Sequence, residues 1–187
     1  MNKPKLYDET KVGGFTPLEV GGHHLILKHV EETKSKKGNH MLVVSFDTAG
    51  DDRQPAYMTE EFKNDIRPEK KWPRVGTTYI VTEDKDGNCS KKFKSFIKAF
   101  EDSNQCEAIW GAKFAAQFTG KRIGGVFGEV ENEYNGKINK NVELRFFIED
   151  AGVDSAKVPD PQLLDRDTAP KNSSGLPWIT GDELSPF

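Results

Sequence analysis

The dipeptide Asn135-Gly136 is the feature that most constrains this chain. Asn and Gly tolerate the positive φ that a two-residue type I′ turn requires at both central positions, and that turn has the twist of the strands it joins. Runs with strand character flank it on both sides, residues 121–134 and 137–149. A long antiparallel hairpin is predicted there. In its second arm Val142, Leu144, Phe146 and Ile148 share one face by alternation and are assigned to the core. Glu143, Arg145, Phe147 and Glu149 then fall on the opposite face.

The remaining elements follow from apolar periodicity. Residues 24–30 and 41–47 are β-leaning runs separated by a polar turn with Lys34, Lys36, Lys37 and Gly38. Residues 77–82, rich in β-branched side chains, predict a third strand. Between them, residues 57–62 fit either a strand or a short helix, and Pro68 and Pro73 bracket a loop. The clearest helix covers about residues 90–103: Phe93, Phe96, Ile97 and Phe100 form one apolar stripe, with Ser90 as N-cap. Residues 106–118 suggest a second, shorter helical piece around Trp110 and Phe114.

This is a mainly β chain with one or two helices, in the order strand, strand, strand, helix, strand, strand, tail. That order matches the OB-fold, a five-stranded Greek-key barrel with its helix between strands three and four. Three regions are expected: an irregular N-terminal arm (1–20), an OB-like domain (21–149) and an extended C-terminal tail (150–187). The tail holds 3 of the 27 basic and 7 of the 30 acidic residues, so the net charge of -3 conceals a body with 24 basic against 23 acidic side chains. Five of the ten prolines also lie in the tail, which reads as a mobile acidic extension.

No apolar run approaches a membrane span, and no apolar stretch follows the charged N-terminal residues, so a soluble, cytoplasmic protein is expected. Cys89 and Cys106 have no metal-type spacing and predict reduced thiols. There is no GxxxxGK[ST], GxSxG, HExxH or CxxC motif, and His23, His24, His29 and His40 have no zinc-ligand spacing with the cysteines. The expectation is a non-enzymatic protein with no cofactor and no bound metal. Glu129, Glu131 and Glu133 alternate along one strand and would suit a Mg²⁺-dependent nuclease, a minor alternative to a solvated strand face.

A single-strand binder needs cations along the backbone path with aromatic faces between them. The candidates are Lys34, Lys36 and Lys37 in the first loop; Lys70, Lys71, Trp72 and Arg74 in the proline-bounded loop; Tyr79 on the third strand; Lys121 and Arg122 opening the fourth; and Arg145 with Phe147 on the fifth. Trp72, Tyr79 and Phe147 are the expected stacking residues. The lysines around the helix stripe, Lys91, Lys92, Lys94 and Lys98, fit a solvated helix face.

The chain ends Gly181-Asp182-Glu183-Leu184-Ser185-Pro186-Phe187. This end resembles the acidic tail and hydrophobic-Pro-Phe tip of bacterial and phage single-stranded DNA-binding proteins, with Ser185 intervening between Leu184 and Pro186. Asp182, Glu183, Leu184, Pro186 and Phe187 are the residues that resemblance makes partner-binding. The stretches Arg67-Pro68-Glu69-Lys70-Lys71-Trp72-Pro73-Arg74, Phe93-Lys94-Ser95-Phe96-Ile97-Lys98-Ala99-Phe100-Glu101-Asp102-Ser103-Asn104 and Gly120-Lys121-Arg122-Ile123-Gly124-Gly125-Val126-Phe127-Gly128-Glu129-Val130, then Glu133-Tyr134-Asn135-Gly136, are similar to a second group. That group is a family of small proteins from the replication and recombination modules of phages and prophages of Gram-positive bacteria, whose members are described as single-stranded DNA-binding proteins or left without a function. The resemblance implies an OB-like fold, a bacterial host cytoplasm and a DNA-binding role in replication or recombination. It also implies that the tip recruits phage or host replication proteins. Self-association is left open by the sequence. A tail lying across the basic groove would inhibit binding, so deleting residues 150–187 is expected to strengthen it. The alternative from another class is an OB-like adaptor for protein contacts alone.

Overall fold

Strand β1 (Gly21–Lys34) buries Leu25 and Leu27 and then, after an irregularity at Lys28, Val30. The inserted residue bends the strand, as a β-bulge does. The bend lets β1 serve two neighbours: Gly21 to Ile26 pair with β4 (Arg122–Tyr134), and Leu25 to Lys34 pair with β2 (His40–Thr48). The computed structural model describes residues 16–164 except Lys85. Residues 1–15 of the expected arm, and the tip residues Asp182, Glu183, Leu184, Pro186 and Phe187, lie outside the described residues.

The sheet has five antiparallel strands, with β3 (Thr77–Val81) pairing β2 and β5 (Lys137–Ile148) pairing β4. Its order is β3-β2-β1-β4-β5. The expected closed barrel is not formed: the described sheet has two ends, and no ladder joins β3 to β5. The β4–β5 turn is as predicted, with Asn135 at φ 52° and Gly136 at φ 71°.

One helix, α2 (Lys91–Asn104), lies between β3 and β4 and buries Phe93, Phe96, Ile97 and Phe100 against the inner face of the sheet. Ser90 caps it, accepting a hydrogen bond from the Phe93 amide at 3.2 Å. The ambiguous stretch after β2 is a helix, α1 (Tyr57–Asn64), whose N-cap Ala56 supplies no side-chain acceptor. Asp47, buried on β2, takes that role: its Oδ1 accepts from the Met58 amide and the Thr48 amide, both at 2.9 Å, and its Oδ2 accepts from the Thr59 hydroxyl. A carboxylate from a neighbouring strand thus does what a local Ser or Asp usually does.

Three expectations are corrected by the structure. On β5 the alternation changes phase, because Phe127 pairs Leu144 while Val126 pairs Phe146, leaving Arg145 as an extra residue. Phe147 therefore turns inward, 7% exposed, against Phe46 and Phe96, and Phe146 is left 45% exposed. The tail does not begin at residue 150. A 3-10 turn, Asp150–Ser155, presses Val153 onto the sheet so closely that a Cβ at Gly22 would sit 2.2 Å from its carbonyl oxygen. Further on, Gln162 exchanges backbone hydrogen bonds with Glu129 and Glu131, both 2.9 Å, along the part of β4 that extends past β1. A deletion from 150 would remove a piece of the body. Residues 106–118 are also not a helix but a loop ending in a 3-10 turn, Ala115–Phe118.

Candidate nucleic-acid interface

The unjoined ends of the sheet create a groove. It lies between β3 and β5, has a volume of about 810 Å³, and is walled by Trp72, Arg74, Tyr79, Lys92, Lys140 and Glu143 among others. Tyr79 is there because Thr78 and Ile80, its neighbours on a five-residue strand, point into the core; it is 59% exposed. Lys92, at the start of α2, reaches back to donate to the Tyr79 carbonyl at 3.0 Å and the Thr78 hydroxyl at 3.3 Å. The residue is exposed, but partial desolvation by the protein around it holds this ammonium below the ordinary lysine value. Lys140 comes from the outer part of the β4–β5 hairpin and lies 4.0 Å from Glu129. Arg74 pairs with Glu143 at 3.3 Å but is itself highly exposed. Burial pushes the carboxyl of Glu61, also in the groove, upward.

Trp72 differs from its expected role. Its indole N–H donates to the carbonyls of Phe46 at 3.2 Å and Gly76 at 3.1 Å, and the ring packs beside Phe62. A Cβ at Gly76 would stand 2.7 Å from that nitrogen, so the absence of a side chain at residue 76 admits the ring. Trp72 is half-buried and forms a fixed wall of the groove rather than a free platform.

The groove thus gathers Trp72, Arg74 and Tyr79 from the expected set and adds Lys92 and Lys140. The others lie elsewhere. Arg122 is paired with Asp51 and Asp150, each at 2.9 Å, and belongs to the contacts that fix the 150–155 turn. Arg145 donates to the Asp160 carbonyl at 3.2 Å and anchors the following segment. Phe147 is core. Lys70 and Lys71 are exposed in their loop, with Lys70 donating to the Lys63 carbonyl, and Lys121 is exposed just before β4. Lys34 at the end of β1 and Lys36 and Lys37 in the β1–β2 loop are exposed, and Lys34 joins His40 and Trp110 around a second cleft of about 670 Å³. Trp110, 66% exposed, is the aromatic that sequence reasoning missed. Its signal was Gly111: a glycine beside two apolar residues argues against the helix assigned there.

Glu129, Glu131 and Glu133 alternate along β4 as expected. Among the described residues no three His, Cys, Asp or Glu side chains are grouped to hold a metal ion. His23 is fully buried, with Nδ1 2.9 Å from Asp52 Oδ1 and Nε2 3.0 Å from the Glu19 carbonyl. Burial raises the Asp52 carboxyl, but bonds to His23 and to the Gln54 and His24 amides outweigh it, leaving it below the usual carboxylate range. Among the described residues no helix is long and apolar enough to cross a membrane. No protein-family model and no curated protein matches this sequence.

Proposed function

We propose that the protein binds single-stranded DNA with little base preference, in phage replication or recombination, without catalysing a reaction. The observation that carries this reading is the β3–β5 groove, in which an exposed Tyr79 and a fixed Trp72 stand among Arg74, Lys92 and Lys140. Aromatic faces with interleaved cations suit unpaired bases and their phosphates. Two carboxylates, Glu61 and Glu143, share the groove, so the field is only modestly positive and stacking must supply much of the affinity. The strand order, with α2 between β3 and β4, is compatible with an OB-like barrel left open between β3 and β5, which supports the reading because OB-folds take oligonucleotides on the face of strands two and three. In this reading the acidic C-terminal residues recruit replication or recombination partners.

Fluorescence anisotropy with a labelled oligo(dT) of about 16 nucleotides, at two salt concentrations, tests the reading. Saturable, salt-weakened binding is expected. Tyr79→Ala should lose about 5- to 150-fold, the worth of about 1–3 kcal/mol of stacking. Arg74→Ala and Lys140→Ala should each lower the salt slope by about 0.7 per phosphate contact removed. Arg145→Ala should leave affinity and slope alone. Absence of saturable binding would refute the proposal and favour the adaptor.

A further inference from the structure

We propose that Trp110 is a second base-stacking platform, reached by a strand that leaves the β3–β5 groove and crosses toward the β1–β2 loop. The inference rests on the single-strand-binding reading and assigns a site in the separate cleft. The indole lies nearly parallel to Phe114, 14° and 5.0 Å between centroids, and meets Phe93 edge-on at 6.2 Å. Both phenylalanines are buried in the core. One face of Trp110 is thus backed by a rigid ring, and the residue as a whole is two-thirds exposed.

The loop that carries it is pinned by side chains rather than by secondary structure. Gln117 accepts from the Ile109 amide at 2.7 Å and donates to the Ile109 carbonyl at 2.9 Å and the Phe114 carbonyl at 2.8 Å. Glu101 Oε1 accepts from the Ala108 amide at 2.9 Å. A large flat ring held in place before any ligand arrives keeps the ordering cost of binding small. Around it stand Lys34 and His40, with Glu32 and Glu83 as the opposing charges of the lining, and the exposed Lys36 and Lys37 follow in the loop after β1. A π-face beside a lysine-rich loop fits an unpaired base and its flanking phosphates.

The two clefts are adjacent along the chain. Tyr79 lines the first, and Thr82 and Glu83 line the second, a separation of about 10 Å at strand rise. Lys92 and Phe93, consecutive residues of α2, are divided between them in the same way. One strand can therefore occupy both if it is long enough.

Oligo(dT) probes of about 4 and about 16 nucleotides separate the sites. Trp110→Ala is expected to weaken the longer probe about 5- to 150-fold and leave the shorter one unchanged, while Trp110→Phe keeps most of the affinity. In the wild-type protein the longer probe alone should slow amide exchange across residues 109–114, a readout that does not depend on how the variant folds. Equal affinity of Trp110→Ala and wild type for the longer probe, or no protection at 109–114, overturns the inference while the groove reading stands. If the wild type binds neither probe, the groove reading fails and this one fails with it.

Discussion

The phase change on β5 makes a prediction in which two adjacent phenylalanines trade places. Phe147 is 7% exposed and touches Phe46 at 6.0 Å and Phe96 at 5.1 Å between centroids, whereas Phe146 is 45% exposed. Truncating a buried phenylalanine costs about 3–5 kcal/mol, since transfer energy and the residual cavity both count. The two aromatic pairs contribute about 0.5–1.5 kcal/mol each within that range. Phe147→Ala should therefore destabilise the protein by about 4 kcal/mol and lower Tm by roughly 10 °C. Phe146→Ala, removing a ring that is nearly half in water, should cost about 1 kcal/mol. Urea denaturation followed by far-UV circular dichroism measures both, with unchanged m-values as the check that only stability moved. A larger loss for Phe146→Ala than for Phe147→Ala would refute the bulge at Arg145. A Phe147→Ala variant of wild-type stability that no longer binds oligo(dT) would return Phe147 to the stacking role that simple alternation gave it.

Asp47→Ala should cost about 3 kcal/mol, because it removes the cap of α1 and leaves the Met58 and Thr48 amides without their acceptor; Asp47→Asn, which keeps an oxygen for those amides, should cost less, both read as urea midpoints. Asp52 has a folded-state pKa below its unfolded value of about 3.9, so its contribution is complete above that pH and disappears as pH falls through the folded value. Between about pH 4 and 2, Asp52→Asn should therefore lose stability less steeply than wild type, while being the less stable of the two at pH 7; parallel acid limbs would count against the His23–Asp52 contact.

Local rules made several elements legible. Asn135-Gly136 specified its turn because positive φ at two successive positions is a property of those residues themselves. The stripe of Phe93, Phe96, Ile97 and Phe100 specified α2, and Ser90 its start, because helix period and capping are settled within a few residues. Tyr79 was legible for a similar reason, standing between Thr78 and Ile80 on a short strand.

What the sequence could not convey depends on residues far apart in the chain. Strand alternation assigns faces only while each residue has one partner, and the extra residue at Arg145 inverted it for Phe146 and Phe147. The cations divided in the same way: Arg122 and Arg145 look like Arg74 in the sequence, yet Asp51, Asp150 and the Asp160 carbonyl claim the first two. By sequence pattern Trp72 is the free indole and Trp110 a helical one, but the bonds to the Phe46 and Gly76 carbonyls fix the first and the staple of Gln117 holds the second in a loop. The sequence by itself set the five strands, the main helix and the turn at Asn135-Gly136, since those follow from neighbours a few positions away. Tertiary structure alone decided which charges and rings remain available to a ligand, because availability is whatever the folded contacts have not already used.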